Sequence, residues 1–157
     1  MNSCCVLRPP ADVALDRACI VLIARGWLGT PYHHQSSVKG VGADCLGIVR
    51  GVYRELMGRE PAAMPPYTRD WGEASGKETL LDAARLHLVA SPTGVPRPGD
   101  VVVFRVRRAA VAKHVGIATA ADRMIHAVER SGCVEVPLSL WWRRRIASVY
   151  RFPGMID

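Results

Sequence analysis

The sequence has no CxxC spacing, no even set of cysteines and no long apolar run, and each absence removes a class of protein. Its five cysteines, Cys4, Cys5, Cys19, Cys45 and Cys133, are odd in number and scattered. That argues against a disulfide framework and against a metal site, and leaves free thiols as the expectation. No stretch approaches the roughly 18 apolar residues of a membrane span, so no membrane insertion is expected. The start, MNSCCVLRPP, lacks the apolar core of about 7–15 residues that a secretory signal needs. The chain is therefore expected to be made in the cytoplasm without a signal peptide. Internal repeats and low-complexity segments are absent, as are helix-turn-helix, zinc-finger and RNA-binding signatures. The net charge of +7 would suit an anionic polymer such as nucleic acid or cell wall, or equally a solvated basic face or docking surface, and without such signatures no direct nucleic-acid partner is expected.

What is present fits one domain: 157 residues, 49% hydrophobic and 22% charged. We read residues 1–11 as a tail and 12–153 as a single domain. Residues 12–25 (DVALDRACIVLIAR) place Val13, Leu15, Cys19, Leu22 and Ile23 near a helical period, with Asp12 as N-cap and Gly26 as terminator. Residues 26–44 read as loop. From Cys45 the positions Ile48, Val49, Val52, Tyr53, Leu56 and Met57 trace a second helix ending at Gly58. Residues 60–76 carry three prolines and read as a surface excursion, and a third helix covers roughly 77–88. After the turn cluster VPRPGD the period changes: VVVFRV (101–106), HVGIAT (114–119), MIHAV (124–128), VEV (134–136) and SVYRF (148–152) read as short strands. Helices followed by consecutive strands predict an α+β fold, with N-terminal helices packed on a C-terminal antiparallel sheet.

The chemistry centres on Cys45. It stands where a glycine-rich loop, GVGAD, meets a helix, and a helix start together with a nearby imidazole lowers a thiol pKa. Gly40 and Gly42 are expected to leave room for a substrate backbone. His114 and His126 lie on two strands joined by a short turn. If Thr119 pairs with Arg123, His126 falls opposite Gly116 and on the face of His114, with about 7–8 Å between the Cα atoms of the diagonal pair. That predicts His114 as the base and His126 as its orienter. His33 and His34 read as solvated loop residues, with a place lining the cleft as the alternative, and His87 as a helix-end imidazole. Cys19 reads as a core residue, and Cys4, Cys5 and Cys133 as free surface thiols. For WWRRR at 141–145 two accounts stand: a docking patch, or aromatic packing against the sheet with arginines at the rim.

Through GTPY (29–32), ADCLG (43–47), KHVGI (113–117) and MIHA (124–127), the chain resembles the NlpC/P60 cysteine peptidases, papain-like enzymes that cut peptidoglycan stem peptides. GTPYHHQSSVKGVGADCLGIVRGVYRELMGREP and PLSLWWRRRIASVYRFP resemble more narrowly the branch encoded among tail genes of phages and gene transfer agents. The resemblance implies Cys45 as nucleophile, His114 as base and His126 as third polar residue, with no metal or cofactor. It also implies that the Tyr32 hydroxyl approaches the thiol and that Asp44 shapes substrate recognition; the alternatives are a loop anchor for Tyr32 and a helix N-cap for Asp44.

Two features depart from the family pattern. Leu46 replaces the serine of DCSG, and HHQSS replaces a tryptophan-glycine pair; both are expected to line the cleft. The implied activity is hydrolysis of stem-peptide amide bonds, with the γ-D-glutamyl-diamino acid bond as the expected target. The implied setting is a phage-like tail particle, or virion, acting at the bacterial cell wall, with tail-tip or baseplate proteins as partners. The alternatives are a structural tail-tip or baseplate subunit of little activity and, more distantly, a thiol acyltransferase.

Overall fold

The computed structural model describes residues 15–70 and 72–156. Helix α1 (Arg17–Arg25) opens with Asp16 accepting from Ala18 N at 3.0 Å. The expected cap, Asp12, and Val13 lie outside the described residues. The buried face of α1 is Ile20, Val21 and Ala24, continued by Trp27, whereas Leu22 is exposed and Cys19 only half-buried. This corrects the expected stripe. Residues 20–23 are apolar in an unbroken run, so periodicity does not choose the face; packing against α2 does. Within the expected loop a small hairpin forms, β1 (Ser37–Val38) with β2 (Gly42–Ala43), turning at Gly40 with φ 75°.

Helix α2 (Cys45–Met57) runs as expected and ends at Gly58 in the left-handed region, φ 77°. It buries Leu46, Ile48, Val49, Val52 and Leu56. Gly51 lets it meet Trp27: a Cβ there would lie 1.9 Å from the indole. The same indole donates to Glu55 Oε1 at 2.8 Å. Helix α3 (Thr79–His87) adds Leu80, Leu81 and Ala84 to the core.

The expected antiparallel sheet has six strands: β3 (Val89–Ala90), β4 (Val101–Phe104), β5 (His114–Ala120), β6 (Arg123–Val128), β7 (Gly132–Pro137) and β8 (Ile146–Arg151). Their order is β3-β8-β4-β5-β6-β7. Strand β3 and the short helix α4 (Leu140–Arg143) add to the expected elements; both are too brief to show a period.

Side chains alternate between the two faces of the sheet. Val101, Val103, Val115, Ile117, Ile125, Ala127 and Tyr150 join the helices in the main core. Val102, Phe104, Ala118, Met124 and Val149 form a second, smaller core with Leu138, against which Trp142 packs. Among the described residues no helix is long and apolar enough to cross a membrane.

Candidate active site

Local capping sets the position of Cys45. Asp44 is the N-cap of α2, buried and accepting from Gly47 N at 2.7 Å and from Gln35 N at 2.7 Å. Tyr67, on the surface excursion, donates its hydroxyl to the same carboxylate at 2.5 Å. Cys45 follows at the first helical position, and backbone N–H groups of Val115, Leu46 and Cys45 itself act on its sulfur. The thiol therefore sits against the start of β5, one residue from His114. Cys45 and His114 line one cleft of about 250 Å³ with Tyr32, His34, Arg69 and Glu129.

The histidine pair is brought together by the register. Ile117 pairs with Ile125 and Ala118 with Met124, the alignment that sets His126 opposite Gly116. Nearer the turn the expectation fails: Arg123 pairs with Ala120 rather than Thr119, because a bulge interrupts the ladder there. The bulge lies beyond the pairs that matter for the site, so the histidines keep one face. His114 Nε2 lies 2.8 Å from His126 Nδ1. Gly116 permits this, since a Cβ would stand 2.9 Å from Ile125 O and 3.4 Å from His126 Cβ. With Nε2 of His114 engaged, Nδ1 is the nitrogen left to exchange a proton with the thiol.

Electrostatics corrects one expectation. Burial pushes the Cys45 thiol up to about 12, the Asp44 carboxylate adds to this, and the three N–H groups only partly oppose it. Burial likewise pushes His114 down to about 3, reinforced by His126, which burial itself pushes down to about 4. Both shifts favour a thiol beside a neutral imidazole over a resting ion pair.

Tyr32 faces the same cleft, its backbone bridged to Ala43. Burial, then Cys45 and Asp44, push its phenol up to about 12, so it is a hydrogen-bond donor at neutral pH. Neither Gly40 nor Gly42, expected to leave room for a substrate backbone, lines this cleft: Gly40 makes the hairpin turn, and a Cβ on Gly42 would strike the His33 ring at 2.5 Å. Leu46 does not line the cleft either. It is buried in the main core and faces an apolar cavity of about 310 Å³ under α3 and the 60–65 strap. His34 is no solvated loop residue: it lines the cleft, approaches Tyr67 O at 3.0 Å through Nε2 and packs edge-on against the Tyr67 ring. Cys133 is buried rather than superficial, its thiol raised to about 11 by that burial. Cys4 and Cys5 lie outside the described residues.

Three residues of the site carry no signal in the sequence: Tyr67, Arg69 and Glu129. Tyr67 and Arg69 sit in a stretch with no periodicity, and Arg69 pairs with Glu129 at 2.6 Å only through the fold.

Comparison with known proteins gives one consistent picture. The model of the NlpC/P60 family matches residues 29–151. The chain is 26% identical over 149 residues to the gamma-DL-glutamyl hydrolase of Bacillus subtilis (strain 168), covering 94% of this chain and 32% of that protein. It is 27% identical over 120 residues to the murein DD-endopeptidase MepS/murein LD-carboxypeptidase of Escherichia coli (strain K12), covering 76% and 54%. The chain thus spans about a third to about half of the length of these relatives. Among solved structures, an NlpC/P60 family protein from Bacillus cereus ATCC 10987 superposes with a TM-score of 0.61 at 19% identity, over 89% of this chain and 41% of that one. The NlpC/p60 domain of the peptidoglycan hydrolase SagA gives 0.58 at 20% identity, over 88% and 100%. At these identities the structural likeness concerns the fold.

Proposed function

The chain belongs to the NlpC/P60 family, and we propose that it is a cysteine peptidase that hydrolyses amide bonds in peptidoglycan stem peptides. The observation that carries this reading is the 2.8 Å contact from His114 Nε2 to His126 Nδ1, with His114 and Cys45 opening into one cleft. His114 Nδ1 takes the thiol proton as the Cys45 sulfur attacks the amide carbonyl. The negative oxygen so formed accepts from backbone N–H at the α2 start and from the Tyr32 hydroxyl. His114 returns the proton to the leaving amine, and the thioester remains. Water, deprotonated by the same nitrogen, then releases the acid and restores the thiol. His126 accepts from His114 Nε2–H throughout, which fixes the tautomer.

The bond we assign is γ-D-glutamyl to a diamino acid. Two relatives are named as a gamma-DL-glutamyl hydrolase and a murein endopeptidase. In addition, the cleft offers charges of both signs, Arg69 and Lys113 beside Glu129, which suits a residue carrying both an amine and a carboxylate. For the setting, we read a phage-like tail particle that opens the wall during DNA delivery, supported by the phage-type run from Gly29 to Pro61.

The test is digestion of defined muropeptides by the purified protein beside Cys45→Ala, followed by mass spectrometry. Cleavage after γ-D-glutamate by the native chain alone is expected. Equal inertness of both, also in assembled particles, would overturn the reading in favour of a structural tail subunit. Products carrying an acyl group moved to an amine would instead indicate a transferase.

A further inference from the structure

We propose that Trp142 is a positioning residue for His114: its indole lies on the imidazole and fixes the plane in which that ring reaches both Cys45 and His126. This rests on the peptidase reading for its functional meaning.

A single hydrogen bond between two rings sets a distance but leaves rotation about its axis free. The His114 and His126 rings stand at 81° to one another, with centroids 5.1 Å apart, so their contact alone does not direct His114 Nδ1 towards the thiol. Trp142 supplies the missing constraint. It stacks on His114 at 5.3 Å and 26°, and meets His126 edge-on at 5.2 Å and 88°. Phe104 supports the arrangement from β4, 4.9 Å from Trp142 and 6.0 Å from His114. Substrate enters the cleft on the Cys45 side, and Trp142 is not among the residues lining it.

The segment that carries the indole is itself fastened. Arg143 Nη2 donates to Ala121 O at 2.8 Å, and Arg145 Nε donates to Val106 O at 3.1 Å. Arg145 also donates to Trp141 O at 2.9 Å and lies 3.7 Å over the Trp141 ring. Trp141 in turn packs edge-on against Trp142 at 4.8 Å. The tryptophan-arginine run thus clamps α4 to the sheet ends and holds one flat face against the base. Packing that only filled volume would be indifferent to the angle of the ring, whereas a plate at 26° removes the one rotation left open.

The experiment compares Trp142→Phe, Trp142→Leu and Trp142→Ala in the full chain. On muropeptides, Leu and Ala are expected to lower kcat by about tenfold to a hundredfold with KM within about threefold, while Phe stays within about threefold of the native kcat. Two readouts need no hydrolysis. One is iodoacetamide alkylation of Cys45 at neutral pH, followed on its own peptide by mass spectrometry. The other is the downfield NMR signal of the ring N–H shared by His114 and His126. Both should weaken in Leu and Ala and persist in Phe, and the Leu variant keeps the test valid if Ala fails to fold. Native alkylation rate and N–H signal in a folded Leu variant would overturn the proposal, as would equal losses in Phe and Leu. If the native chain cleaves no muropeptide while these two readouts still respond, the peptidase reading fails and the positioning role stands.

Discussion

On the helix-covered face of the sheet, Cys45 heads α2, whose buried face runs from Leu46 to Leu56 and whose cap, Asp44, accepts three hydrogen bonds. On the opposite face, His114 and His126 share Phe104 and Trp142 with a much smaller core and touch each other through one hydrogen bond. The two halves meet at the start of β5. The Cys45 side is over-determined by local capping and burial. The histidine side depends on a register and on ring packing, so fewer contacts stand between a perturbation there and the chemistry.

The strongest way to sharpen that contrast is to remove each side's reacting group. Cys45→Ala and His114→Ala should each lower muropeptide cleavage by about 10⁴-fold or more; Cys45→Ala should leave the melting temperature nearly unchanged, whereas His114→Ala should also lower it, because it empties a ring site packed on Phe104, Trp142 and His126.

Titration should expose the histidine face next. His114 and His126 are held below the ordinary 6.5, so the unfolded chain takes up their protons first and stability falls as pH drops from about 6.5. Carboxylates such as Glu60, ordinarily near 4.5 and held lower here by Arg50 and Arg54 against the effect of burial, contribute mainly below about pH 5, so the upper part of the range reports the histidines. Urea midpoints between about pH 4.5 and 6.5 should therefore lose much of their slope in the double variant His114→Gln/His126→Gln. An unchanged slope would mean that the pair is not held neutral by burial.

Asp44→Ala attacks the other face. It should cost about 3 kcal/mol in urea unfolding, since a cap is lost and the Gln35 N–H and Tyr67 hydroxyl lose their acceptor. Gly116→Ala should cost about 1–3 kcal/mol, and Gly51→Ala, whose Cβ would overlap the buried indole at 1.9 Å against 2.9 Å for the nearest atom at Gly116, should cost more. The first presses on β6 beside His126 and should also reduce Cys45 alkylation; the second presses on Trp27 and should leave alkylation alone. Tyr67→Phe should be the smallest effect, about 1 kcal/mol, read as a small shift in the urea midpoint.

The elements with long periods or hard stops are legible along the chain: α2 from its stripe and Gly58, and β5 and β6 from their β-branched runs around the two histidines. The stripe of α1 is not, because four consecutive apolar residues give no phase. Leu46 invites a place in the cleft, since a position next to a nucleophile suggests a side chain facing substrate; at the second helical residue the side chain turns some 100° away, into the core. Tyr67 and Trp142 are not readable as site residues, since their contacts span 23 residues to Asp44 and 28 to His114 and leave no local pattern.

By itself the sequence determined the local elements: a capped helix start under Cys45, a two-residue alternation within each of the strands that carry His114 and His126, and a motif set that falls within one family, while the register that puts the two histidines on one face belongs to the sheet. Tertiary structure decided what those groups experience. Burial, a sum over neighbours from distant segments, makes the thiol and imidazoles neutral at rest. The ring planes at the site are set by side chains from β4 and α4, whose approach no spacing along the chain encodes.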